Sequence, residues 1–273
     1  MNIVEERVRE NPWYEIGASS ILGTRSYQQD FAYFYTGAQE VLSIVCDGMG
    51  GLEGGEKASK AAVQRMIQDF HIRKGLENVP EFLREEARRM NQTVLSLKDK
   101  KGKPLKAGTT LVAAYFRENQ MYWVSVGDSK IYIIHGNKLQ SVNREHNYRL
   151  TLKNQLESGR ITQAVYDREE KTAQAEALIS YIGIENLTLI DGNPMPILLQ
   201  PGDIIMLCSD GVYKSLNESQ ICAMVRDNDL DMYIAADRTT AMALRYGVRG
   251  QDNTTVVLMK YLGGQGGDGK CFA

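Results

Sequence analysis

Proline, cysteine and histidine are all scarce in this chain: 273 residues include 6 Pro, 4 Cys and 3 His. Cys46, Cys208, Cys222 and Cys271 form no CxxC pair, so a zinc ribbon or a thioredoxin-like redox motif is excluded. Cys46 and Cys208 lie in apolar strand-like runs, where a buried reduced thiol is the expected state. No Cys is followed six positions later by Arg, which removes the thiolate loop that cradles phosphate. There is no Gly-x-Ser-x-Gly elbow either. Three His are few for a His-rich metal site. His71, at a helix end, and His135, in a hairpin, read as structural; His146 follows a strand and stays a weak site candidate.

A dominant charge is also missing. Net charge is −2 with a pI near 6.0, so no basic field favours nucleic acid or an anionic membrane. The longest apolar runs reach about five residues, far short of the ~20 a membrane helix needs. Residues 1–10 carry Glu5, Glu6 and Glu10 and no apolar centre, so no signal peptide is expected and the protein reads as cytoplasmic. At the other end, residues 263–273 are Gly-rich and expected to be disordered. They contain Gly264-x-Gly266-x-x-Gly269 and a near-miss of a phosphate-binding loop ending in Lys270. Both patterns need a helix after them, and the sequence stops four residues past Gly269.

What is present is an ordinary globular composition, 43% apolar and 24% charged. Residues 15–45 alternate well enough for two or three strands. Residues 55–73 switch to helical spacing, with Ala58, Ala62, Val63, Met66, Ile67 and Phe70 on one face. A second helix follows Pro80, with Leu83, Ala87, Met90, Val94 and Leu97 as its stripe. Strands are predicted over 109–117, 120–126, 130–135 and 138–142, the last two joined by the hairpin pair Gly136-Asn137. Residues 145–182 are polar and helical in tendency, an insertion or flap. Strands resume over 187–190, 197–199 and 203–209. Asn217-Glu218-Ser219-Gln220 has the form of a capping box, a further helix spans 231–246, and a last strand ends near 262. Hairpin-linked strands in two clusters, with helices after the first and before the last strand, predict an α+β layered sandwich over residues 1–262.

The chemistry resides in four Asp, each at the lip of an apolar strand-like run. They are Asp47 in Asp47-Gly48-Met49-Gly50-Gly51, Asp128 in Gly127-Asp128-Ser129, Asp210 in Ser209-Asp210-Gly211, and Asp252 in Asp252-Asn253. Singly, each reads as turn chemistry, as Asp203 in Pro201-Gly202-Asp203 does. If the four strand ends converge, the carboxylates repel unless a cation sits among them. Oxygen-only ligands suit a hard divalent ion such as Mg²⁺ or Mn²⁺.

The chain resembles the metal-dependent serine/threonine protein phosphatases (PPM, or type 2C) of bacterial type. Six motifs carry the resemblance in family order: Gly23-Thr24-Arg25-Ser26-Tyr27-Gln28-Gln29-Asp30; the Asp47 loop followed by Gly55-Glu56-Lys57-Ala58-Ser59; Gly108-Thr109-Thr110; Gly127-Asp128-Ser129-Lys130; Ser209-Asp210-Gly211; and Asp252-Asn253-x-Thr255. The resemblance implies a four-layer αββα sandwich, two antiparallel sheets each flanked by a helix pair. It implies hydrolysis of phosphoserine and phosphothreonine in protein substrates, those of a Ser/Thr kinase, by a metal-activated water. It assigns Asp47, Asp210 and Asp252 to a dinuclear Mn²⁺/Mg²⁺ centre, with Asp47 bridging and the Gly48 carbonyl on the second ion. Asp128 would help hold a third, weaker ion, Arg25 would grip the substrate phosphate, and Asp30 would orient the attacking water.

There are departures from the family pattern. Gln28 stands for the usual Asn, and Gln29 for a Glu in some members. Lys130 replaces Arg, Leu52 stands where many bacterial members have His, and Met49 where animal members have a His acid. Two rival readings remain: a non-catalytic module of the same fold that binds phosphoproteins, disfavoured by the intact carboxylates, and an Asp-metal nuclease, disfavoured by the acidic net charge.

Overall fold

Strand alternation divides the side chains of each central strand between two cores, and this is what generates layers. The computed structural model describes residues 2–50, 54–73, 75–226, 231–247 and 250–263. In chain order the elements are β1 (Ile3–Arg7), β2 (Tyr14–Ile21), β3 (Asp30–Thr36), β4 (Glu40–Met49), α1 (Gly54–Ile72) and α2 (Val79–Leu95). Then come β5 (Gly108–Thr109), β6 (Leu111–Arg117), β7 (Gln120–Val126), β8 (Lys130–His135) and β9 (Lys138–Ser141). A helical excursion follows, with α3 (Tyr148–Glu157), α4 (Gln163–Glu169) and a 3-10 turn (Ala173–Glu176). The chain finishes with β10 (Asp191–Gly192), β11 (Ile197–Leu198), β12 (Ile204–Cys208), α5 (Asp210–Tyr213), α6 (Glu218–Val225), α7 (Met232–Tyr246) and β13 (Thr254–Tyr261).

One sheet runs β1-β3-β4-β6-β7-β10, with β5 beside β4 and β11 beside β7; the other runs β2-β13-β12-β8-β9. On β4, Leu42, Ile44 and Cys46 pack outward under α1 and α2, while Val41 and Val45 face the opposite sheet. On β12, Ile205 and Leu207 face inward, and Met206 and Cys208 pack outward with α6 and α7. The result is the αββα order expected. The helix boundaries follow local chemistry. Asn78 caps α2 by accepting from the Glu81 N–H with Pro80 in the first turn, Asn217 and Gln220 form the capping box of α6, and Asp231 caps α7.

Two local expectations need correction. Strand β1 lies in the acidic first residues, where no strand is expected, and it pairs parallel with β3, so this sheet is not wholly antiparallel. Its charges conceal it from an apolar-pattern reading but suit an edge: Glu6 accepts from the Tyr33 hydroxyl and Arg7 donates to the Ile16 carbonyl. The strand expected over 187–190 is absent; Leu187 and Ile190 cover the α1/α2 core from a loop, and pairing with β7 starts at Asp191. Residues 264–273, which hold the Gly-rich tail and Cys271, lie outside the described residues, as do Gly51 and Leu52 of the Asp47 loop. Among the described residues, no helix is long and apolar enough to cross a membrane.

Candidate active site

Asp30 and Asp47 are direct Cα partners in the β3–β4 ladder. Counting back from inward-facing Ala32 and Phe34, and forward from Val41 and Val45, both carboxylates fall on the face between the sheets. Ser209 continues the inward face of β12, and its hydroxyl donates to Asp30 Oδ2 at 2.7 Å. That bond joins one sheet to the other. A second link is Asn253, whose Oδ1 accepts from the Gln29 N–H at 2.8 Å while its amide donates to the Leu22 and Tyr27 carbonyls. Asn253 thereby fixes the loop that carries Arg25.

The remaining motif residues act on the same strand ends. The Asp47 N–H donates to Thr110 Oγ1, the Asp47 carbonyl accepts from the Thr110 N–H and the Thr109 hydroxyl, and Thr110 Oγ1 meets Ser129 Oγ at 2.7 Å. So the Thr pair holds the Asp47 backbone and ties it to the Asp128 turn. Gly48 lies so close to neighbouring backbone that a Cβ would stand 2.2 Å from the Gly55 carbonyl oxygen. Gly211 is equally confined, with the Asn253 carbonyl 2.3 Å from where its Cβ would be, which brings the Asp210 turn against the Asp252 loop. Gln251 closes this contact by donating to the Gly211 carbonyl at 2.7 Å.

The carboxylates stand close enough to act on one another's charge. Asp47 is pushed well above the usual carboxylate range, first by desolvation and then by the charges of Asp30, Asp210, Asp128 and Asp252. Desolvation also raises Asp30 to about 7 and Asp128 to about 6, with Asp210 adding repulsion to each. Asp30 Oδ1 and Asp210 Oδ1 are buried with no hydrogen-bond partner among the described residues. Buried, mutually repelling carboxylates with spare oxygens form a donor set that fits hard divalent cations. As the side chains stand, no group of three His, Cys, Asp or Glu among the described residues is arranged to grip one ion. Two basic groups hold the outer oxygens instead: Arg25 Nη2 donates to Asp252 Oδ2 at 2.6 Å, and Lys214 Nζ donates to Asp210 Oδ2 at 2.6 Å.

All seven predicted residues, Arg25, Asp30, Asp47, Gly48, Asp128, Asp210 and Asp252, therefore lie around one end of the sandwich. Asp203 does not; it pairs with His135 and caps its own turn. Sequence reasoning missed Lys214, Ser209 and Glu145. Lys214 was detectable, since Asp210 and Lys214 have the i, i+4 spacing of a helical ion pair. Glu145, the partner of Lys130 at 2.5 Å, carried no signal. His146 is buried and committed: its Nδ1 accepts from the Gly127 N–H, and its Nε2 faces Asp191 at 3.3 Å.

A two-sheet αββα sandwich with mutually repelling buried carboxylates at one sheet end has the form of a hard-cation site, and comparison with known proteins gives the family. The model of the family Protein phosphatase 2C matches residues 16–241. Serine/threonine phosphatase stp of Listeria welshimeri is 28% identical over 222 residues, covering 80% of this chain and 84% of that protein. The serine/threonine phosphatase of S. agalactiae superposes with a TM-score of 0.78 at 24% identity, covering 92% of this chain and 100% of that one. The catalytic domain of serine threonine protein phosphatase PstP, solved in complex with 2 manganese ions, superposes with a TM-score of 0.71 at 24% identity, covering 92% and 99%. The chain belongs to the protein phosphatase 2C family.

Proposed function

We propose that this phosphatase hydrolyses phosphoserine and phosphothreonine in proteins, at a site where Asp47, Asp210, Asp252 and the Gly48 carbonyl hold two Mn²⁺ or Mg²⁺ ions and Asp128 helps hold a third. The observation that carries this reading is the convergence on Asp47 of four further carboxylates in a desolvated sheet end. Bound there, the ions would acidify water and neutralise charge on the phosphoryl group. The manganese in the PstP structure supports the choice of metal. The catalytic unit is residues 1–262, and the buried free thiols of Cys46 and Cys208 suit the cytoplasm.

The protein's own residues divide the work. Arg25, its side chain 60% exposed, can swing from Asp252 to meet two phosphate oxygens with its planar fork. Asp30, held by Ser209, turns its free oxygen into the site and orients the attacking water. No His is free to protonate the leaving group: His71 pairs with Glu6, His135 with Asp203, and His146 with Gly127 and Asp191. That proton comes from solvent, which a loose phosphoryl-transfer transition state tolerates because the leaving oxygen is stabilised by charge and position.

The test is turnover of a phosphothreonine peptide with and without Mn²⁺, with single-stranded DNA as the competing substrate. Mn²⁺-dependent phosphate release from the peptide alone, lost in Asp210→Asn, is the expected result. Binding of the phosphopeptide without turnover would establish the non-catalytic module instead.

A further inference from the structure

Lys214 has no role in the phosphatase chemistry above, yet its ammonium sits on a proposed metal ligand. It donates to Asp210 Oδ2 at 2.6 Å, and Glu176 Oε2 lies 3.6 Å from the same nitrogen. Glu176 closes the 3-10 turn of the helical excursion between β9 and β10. Ion pairs continue from it through the excursion. Glu176 Oε1 accepts from Arg149 Nη2 at 2.7 Å, Arg149 Nη1 faces Glu145 Oε2 at 3.6 Å, and Glu145 Oε1 meets Lys130 Nζ at 2.5 Å. Lys130 returns the path to the site, two residues past Asp128 and with its ammonium over the Tyr213 ring, whose hydroxyl donates to the Asp128 carbonyl. The excursion is thus joined to the candidate site electrostatically at Asp210 and through Lys130 at the Asp128 turn.

We propose that Lys214 is an internal stand-in for the cation at Asp210, and that metal entry transfers its ammonium to Glu176, so that metal binding and anchoring of residues 145–176 are coupled. This rests on the dinuclear site proposed above. A divalent ion outcompetes one ammonium for a carboxylate, and the displaced charge needs a partner. Glu176 is the acceptor already within reach, and the side chain of Lys214 is 44% exposed and free to turn. Transfer strengthens the pair with Glu176, which Arg149 already holds, and anchors the 3-10 turn beside Lys214. Two consequences follow. Lys214 lowers the apparent metal affinity by competing, and it makes the ordering of the excursion depend on metal.

The test uses chelator-stripped full-length protein and Mn²⁺ alone, read by titration calorimetry and by hydrogen exchange over residues 148–176. The wild type is expected to bind Mn²⁺ and to exchange more slowly in that segment when loaded. Lys214→Met should bind Mn²⁺ about three- to fivefold more tightly, the size of a partly exposed ion pair, and lose the metal-induced slowing. Lys214→Arg should retain both behaviours, and Glu176→Gln should lose the slowing while keeping Mn²⁺ binding. Unchanged or weaker binding in Lys214→Met, or slowing that persists in it, overturns the coupling and leaves the metal site standing. Absence of Mn²⁺ binding by the wild type would overturn the metal site and the coupling together.

Discussion

Replacing Asp47 by Asn should make the protein more stable without metal and less stable with it. Asp30 and Asp47 are Cα partners on the inward face of adjacent antiparallel strands, which sets their backbones ~5 Å apart. Two unit charges at that separation repel by ~3 kcal/mol at an effective dielectric of ~20. Burial is the largest cause of the Asp47 rise and the charge of Asp30 the next, followed by Asp210, Asp128 and Asp252, so removing the charge at position 47 relieves about 1–3 kcal/mol. At 2–4 °C per kcal/mol for a domain near this size, Tm in excess EDTA should rise by about 2–8 °C. In saturating Mn²⁺ the order reverses: the wild type gains about 2.7 kcal/mol at a hundred times Kd, the variant gains little, and phosphatase turnover is lost. Differential scanning calorimetry with and without Mn²⁺ reads both halves. A variant that melts at or below the wild type in EDTA would refute the claim that the Asp47 carboxylate is held against its own repulsion.

Two other expectations are independent of that one. Arg25→Ala should raise KM for a phosphopeptide roughly tenfold or more while leaving Tm within about 1 °C, because a charge-assisted phosphate contact is lost from an exposed side chain; steady-state kinetics and a melting curve check this, and a large fall in Tm would mark Arg25 as structural. Glu86, buried between α1 and α2, is pushed up to about 8, chiefly by burial and then by Asp69, against the opposing pull of Arg89 and Arg65. Its folded value lies above its unfolded 4.5, so the native protein holds a proton that the unfolded chain releases. Stability from this group is full below about pH 4.5 and is lost as pH rises toward 8. Glu86→Gln should therefore gain about 1–2 kcal/mol over wild type at pH 8 and nothing at pH 4.5 in urea denaturation; an equal gain at both pH values would refute it.

Much of the candidate site was legible because its carboxylates lie where strand patterns break. Alternation along β4 and β12 not only predicts strands but also sets the parity that turns Asp47 and Ser209 inward. Helix signals were as clear where the capping chemistry is local, as at Asn78, Asn217 and Asp231. What escaped was non-local. Strand β1 is held by its parallel partner rather than by an apolar pattern, and Leu187 and Ile190 are apolar because they cover a core, not because they pair. Ser209 read as the last residue of a strand; its bond to Asp30 spans 179 positions and exists only once the two sheets are stacked. Lys214 had the right spacing from Asp210, but i, i+4 pairs on helices are commonplace, and nothing local separates one at a site from one on a surface.

The polar groups around the carboxylates show why this sheet end keeps its shape despite its charge. Free carboxylates at a buried edge would be expected to splay the strands apart or take up protons. Here the backbone rather than the charge is satisfied: Thr109 and Thr110 hold the Asp47 peptide, Asn253 holds Gln29 and the Arg25 loop, and Ser209 accepts from the Thr255 N–H while donating to Asp30. The Asn253–Gln29 and Ser209–Asp30 bonds cross from one sheet to the other, and the backbone bonds do not depend on what neutralises the acids. The outer carboxylates differ, because Arg25 and Lys214 hold Asp252 and Asp210 from exposed, flexible stems. Rigid placement of the inner pair with exchangeable partners on the outer pair is the division of labour a cation-loaded phosphate site requires. The inner acids must not move when a cation arrives, and the outer ones must be able to change partners.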